Sequence, residues 1–163
     1  MNGRADIADG EGRGSRAPAR ACALDATVEA DVTGEAVDSG VLLSLEEAQV
    51  EGEPDLIVEL IDLYDEDTPR RLADIRGAFA ARDLAALRRA AHGLKGSSAS
   101  LGARRVALLC DKLERSSDGE LHQAGDALLT RLESEFARAR LAFAGERGRR
   151  LPGRGAAEIT LVR

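Results

Sequence analysis

The chain has 163 residues, 44% of them hydrophobic but only 2% aromatic, with a formal net charge of −6. That is enough apolar material for one domain with an aliphatic core rich in Leu and Ala, a composition that favours helices. The acidic balance excludes the concentrated basic face that nucleic-acid binding needs, no stretch reaches the roughly 18 apolar residues of a membrane span, and Cys22 and Cys110 are too far apart for a zinc motif or disulfide framework.

Residues 1–40 are rich in Gly, Ala, Asp and Arg without sustained periodicity, and are expected to form a flexible tail. No leader pattern of charged then apolar residues is visible there, so a cytoplasmic protein is expected. Ser44-Leu45-Glu46-Glu47 matches a capping box and predicts a short helix to about Val50, broken by Gly52 and Pro54. From 55 to 81 a single apolar stripe runs through Ile57, Ile61, Tyr64, Thr68, Leu72, Ile75 and Phe79. Pro69 falls inside it, but the stripe keeps its phase, so one long helix with a kink near Asp65 to Pro69 is expected.

A third helix starts at an Asp83 cap and buries Leu84, Leu87, Ala91, Leu94, Ser98 and Leu101. A fourth places Val106, Leu109, Cys110 and Leu113 on one face and ends at Ser116-Ser117-Asp118-Gly119. The fifth aligns Leu121, Leu128, Leu132, Phe136, Ala139 and Phe143. Residues 145–163, rich in Gly and Arg, are expected to be a second flexible tail. With no alternating strand pattern, the predicted fold is all-α: an antiparallel four-helix bundle over 41–144, with the short N-terminal helix capping one end and a disordered tail on each side.

The third helix carries an unusual segment, His92-Gly93-Leu94-Lys95-Gly96-Ser97-Ser98. His92 sits about 100° around the helix from buried Ala91 and so misses the apolar stripe. Its own face holds Arg88, Lys95, Gly96 and Ala99, one turn or two away. Gly96 sacrifices about 1 kcal/mol of helix propensity relative to Ala and leaves the flank of His92 bare. An exposed imidazole is a competent nucleophile near neutral pH, Lys95 can offset charge on a group bound to it, and the bare flank admits a second protein. Phosphoryl transfer between two carriers asks for little more than such positioning and charge neutralisation.

The same segment, continued by Leu101-Gly102-Ala103 and Leu109-Cys110-Asp111-Lys112-Leu113-Glu114, closely resembles the histidine-containing phosphotransfer (HPt) domains of bacterial phosphorelays. The resemblance reaches upstream to Leu60-Ile61-Asp62-Leu63-Tyr64-Asp65-Glu66-Asp67-Thr68-Pro69 and covers about 42–143. It implies that His92 is the phosphoacceptor, taking a phosphoryl group from the aspartate of one receiver domain and passing it to that of another. It also implies that Lys95 stabilises charge, that Gly96 gives steric access, and that Ser97, Ser98, Leu101 and Gly102 shape the helix end. The partners expected are receiver domains of response regulators or hybrid kinases, met by a monomer without nucleic acid or membrane. No cofactor is expected on this chain, since in the family Mg2+ belongs to the receiver.

No Gly-rich phosphate loop of the GxxxxGKS or GxGxxG type is present, so a carrier rather than an autophosphorylating kinase or other enzyme is expected. The competing reading is a helical adaptor that binds receivers without carrying phosphate. His122 lacks a neighbouring Lys or Gly and reads as a surface histidine, and Cys110 reads as a small core residue. The acidic run Glu59, Asp62, Asp65, Glu66 and Asp67 reads as a solvated face. No second His, Cys or carboxylate is seen on the His92 face at metal-ligand or triad spacing, so a hydrolase or metalloenzyme is not expected.

Overall fold

The computed structural model describes residues 34–151. The expected tails over 1–33 and 152–163, and Cys22, lie outside the described residues. Five helices and no strand occur among the described residues: α1 Ser39–Glu47, α2 Leu56–Ala80, α3 Leu84–Ser100, α4 Arg104–Arg115 and α5 Asp118–Arg150. The links after α2, α3 and α4 span only two or three residues, which forces successive helices to run antiparallel. Each of the four long helices packs on two others in the closed order α2, α3, α4, α5 and back to α2, while α1 packs against α2. The all-α bundle expected from the periodicity is therefore the architecture found.

Start signals are local and chemical. Asp55 accepts from the amides of Ile57 and Val58 at 3.0 and 3.1 Å, Asp83 accepts from Ala86 at 2.9 Å, and Ser117 forms a capping box with Glu120. The first helix corrects the sequence reading. Its cap is Asp38, not Ser44; the Ser44 hydroxyl sits inside the helix and donates to the Gly40 carbonyl at 3.0 Å. The capping-box pattern recurs by chance within helices, where Ser can bond back to the preceding turn instead.

Both domain boundaries also need correction. Residues 34–38 are packed rather than tail: Val37 is buried, the Asp38 amide donates to the Gly102 carbonyl at 2.9 Å, and Arg105 reaches the Gly34 carbonyl at 3.2 Å. At the other end α5 continues past 144 to Arg150. The acidic run on α2 lies against this part of α5 and is not simply solvated. Asp65 pairs with Arg140 at 3.3 Å, Asp62 with Arg147 at 2.8 Å, and the α2 cap Asp55 with Arg150 at 3.4 Å. Two features that look unrelated in sequence, an acidic stripe and a basic terminus, lie against one another along antiparallel α2 and α5.

The core follows the predicted stripes, except that Leu72, Phe79 and Leu84 are half-buried at its margin and one position is exchanged on α5. On α5 the buried row runs Leu121, Gly125, Leu129, Leu132, Phe136, Ala139 and Phe143, so Leu129 replaces Leu128. Gly125 belongs to it because the Phe79 ring occupies the space where a Cβ would stand. Pro69 lies within an unbroken α2. Tyr64 donates to or accepts from Ser98 at 2.9 Å across α2 and α3, and burial pushes its phenol up to about 12, so it remains neutral. Burial likewise pushes the Cys110 thiol up to about 12, as suits a core residue.

The turn between α2 and α3 holds the one non-glycine residue with positive φ among those described, Arg82 at 55°. The amide of Asp83 donates to the Ala78 carbonyl at 2.9 Å and that of Arg82 to the Phe79 carbonyl at 3.0 Å, the Schellman pattern whose left-handed position favours glycine. Arg82→Gly is expected to raise stability by about 0.5–1 kcal/mol, the strain relieved less the added freedom of the unfolded chain. A higher urea midpoint at unchanged slope checks this. A lower midpoint would show that the Arg82 contact with His122 Nδ1, at 3.3 Å, outweighs the backbone strain.

Candidate functional site

The site is assembled by two helices and the turn between them. Leu87, Ala91, Leu94 and Ser98 pin one side of α3 into the core, which turns His92 outward with its side chain 69% exposed. Gly102, with φ of 79°, makes the turn into α4, and a Cβ there would lie 2.8 Å from the Asp38 carbonyl oxygen. Glycine alone fits both the left-handed backbone and that close approach. The tight turn sets the register of α4 against α3: His92 lies eleven residues before Ala103 and Glu114 eleven after, Lys95 and Asp111 eight before and after.

That register brings together what the sequence separates. His92 Nδ1 lies 2.9 Å from Glu114 Oε1. Lys95 Nζ donates to Glu114 Oε2 and, at 3.2 Å, to Asp111 Oδ1. The Lys95 ammonium, with a second hydrogen bond from His92, holds the Glu114 carboxyl below its ordinary range. An ionised carboxylate only accepts, so Nδ1 carries the proton of this pair and the neutral ring keeps its lone pair on Nε2, the nitrogen away from Glu114. The hydrogen bond to Glu114 in turn raises the Lys95 ammonium above its usual range, against the opposing effect of burial, so it stays charged.

All three predicted residues lie on one surface. Gly96 has nothing within 4 Å of the position a Cβ would take, so no internal packing accounts for a glycine there. Gly93 differs, since the Arg71 guanidinium lies against it. Glu114 and Asp111 are the functional candidates that the sequence reading missed. A signal for them did exist: reflection of the chain about Ala103, in the turn after α3, lands Glu114 opposite His92 and Asp111 opposite Lys95. His122 stands apart, near the start of α5 beside Arg82. Among the described residues no group of three or more His, Cys, Asp or Glu is placed to hold a metal ion, and no helix is long and apolar enough to cross a membrane.

Comparison with known proteins adds three findings. A family model described as the Hpt domain matches residues 59–142, which include every residue of this cluster. Histidine-containing phosphotransfer protein 2 of Arabidopsis thaliana is 27% identical over 95 residues, covering 56% of this chain and 61% of that protein's length. The crystal structure of histidine-containing phosphotransfer protein B from Pseudomonas aeruginosa PAO1 matches with a TM-score of 0.63 and 37% identity, over 70% of this chain and 96% of that one.

Proposed function

The chain belongs to the Hpt domain family, whose work is histidine phosphotransfer in phosphorelays, and we propose that His92 is the residue that carries the phosphoryl group. The observation that supports this best is the pairing of an exposed imidazole with a carboxylate at Nδ1, which leaves Nε2 both nucleophilic and accessible. Transfer then runs in line. The Nε2 lone pair attacks the phosphorus of a receiver's aspartyl phosphate, the P–O bond breaks with its electron pair going to the aspartate, and the Nδ1 proton stays on the ring. Glu114 faces the positive charge that the ring acquires, and Lys95 is the nearby cation for the phosphoryl oxygens. The reverse sequence discharges the group to a second receiver.

Little covalent chemistry is asked of the protein, because phosphoryl transfer is dominated by positioning and charge neutralisation. Mg2+ is assigned to the receiver, and the chain acts as a monomeric, cytoplasmic carrier without kinase activity of its own. The test is transfer of label from an aspartyl-phosphorylated receiver domain to the wild-type protein and to His92→Gln.

Gly96 gives an independent check on the docking geometry. Gly96→Leu meets open space and gains helix propensity of roughly 0.5–1 kcal/mol, so the folded state is expected to be as stable or slightly more so. Transfer from a receiver is nevertheless expected to slow at least tenfold, because the new side chain projects beside the imidazole where the partner must approach. Stopped-flow transfer rates alongside urea unfolding check this. An unchanged rate in a normally folded variant removes the steric role.

A further inference from the structure

Lys95 is not a free cation beside His92. Its Nζ is shared between Glu114 Oε2 and Asp111 Oδ1, and each of these carboxylates gives its other oxygen to a second donor. Glu114 Oε1 faces His92 Nδ1 at 2.9 Å, and Asp111 Oδ2 faces Arg115 Nε at 2.8 Å. The result is a string across α3 and α4 in which hydrogen-bond donors and carboxylates alternate: Arg115, Asp111, Lys95, Glu114, His92.

The alternation matters when His92 is loaded, and the inference rests on its being the acceptor. The loaded ring keeps its Nδ1 proton and becomes an imidazolium bearing a phosphoryl dianion. That dianion competes with both carboxylates for the Lys95 ammonium. Nζ can shift toward it without stranding either carboxylate, because Glu114 retains the now-charged Nδ1–H and Asp111 retains Arg115. The geometry points to Asp111 and Arg115 as positioning residues that set how readily Lys95 is released to the phosphoryl group, and hence how stable the loaded state is. Neither touches the reacting atoms. Asp111 holds Lys95 back, and Arg115 weakens that hold by occupying the opposite oxygen.

Two substitutions, at half-buried Asp111 and exposed Arg115, should therefore act in opposite directions. Phosphoramidate serves as a donor that needs no partner protein: its P–N bond breaks, ammonia leaves with the bonding pair, and the Nε2–P bond forms. The equilibrium ratio of phosphohistidine to phosphoramidate, read by 31P NMR at fixed ammonium concentration, reports the stability of the loaded state. Asp111→Asn is expected to raise that ratio about two- to fivefold and Arg115→Ala to lower it by a similar factor, the scale of a partly exposed ion pair. The double variant should match Asp111→Asn alone, because Arg115 acts only through Asp111. Shifts in the same direction, no shift, or a double variant that is simply additive overturns the proposal. Failure of the wild type to load, or loading that survives His92→Gln, instead overturns the acceptor assignment beneath it.

Discussion

His92→Gln is expected to abolish phosphoryl loading while leaving the fold intact. Glutamine keeps a polar side chain of similar reach on a site whose native residue is 69% exposed, so nothing in the core is disturbed. What disappears is the aromatic nitrogen lone pair, for which the amide is no substitute. The wild type, incubated with a labelled receiver, should acquire phosphate that is labile in acid and stable in base, and His92→Gln should acquire none. His122→Gln should load as the wild type does, since that ring lies apart from the cluster, near the start of α5 beside the Arg82 guanidinium. Loading that survives His92→Gln but not His122→Gln would move the acceptor to α5 and dismantle the site described above.

The second large effect is expected in stability, at Phe143. Its side chain is fully buried, and its ring meets Tyr64 edge-on at 5.5 Å between centroids; Phe136 meets the same Tyr64 at 5.8 Å. The Tyr64 hydroxyl in turn bonds Ser98, so one aromatic cluster joins α5, α2 and α3 behind the helix that carries His92. Phe143→Ala removes both the buried area and an edge-on partner in a chain with few aromatics, and is expected to cost about 3–5 kcal/mol. Against a total of about 5–15 kcal/mol for an ordinary domain, that brings the protein close to its unfolding threshold. Leu141→Ala, two residues away but 77% exposed, should stay within about 0.5 kcal/mol. Urea unfolding of the two variants gives the comparison. A cost below about 1 kcal/mol for Phe143→Ala would mean that the last turns of α5 lie outside the cooperative core.

How far the sequence could be read is clearest in particular elements. The stripe from Ile57 to Ile75 was legible because a helix buries every third or fourth residue whatever it packs against. Asp83 was legible as a cap because its carboxylate satisfies an amide three residues along. The start of α1 was not, since Ser44 has two uses for its hydroxyl and only the packed structure selects between them. The end of α5 was not, because Gly145 and Gly148 weaken a helix locally. What sustains it there includes Asp55 and Asp62, some 85 to 95 residues away in the chain.

The functional cluster divides in the same way. His92, Lys95 and Gly96 lie within five residues on one helix, so their common face is a matter of helical geometry and is written in their spacing. Glu114 and Asp111 come from another helix, and their meeting with His92 and Lys95 depends on the left-handed turn at Gly102 and on the register it imposes. Local chemistry along the chain dictates helix, cap and the face of the proposed nucleophile, since each involves neighbours a turn apart. Which nitrogen of the imidazole is left free, and what holds the lysine, is decided only when α4 folds back on α3, because those hydrogen bonds join residues brought together by the tertiary fold.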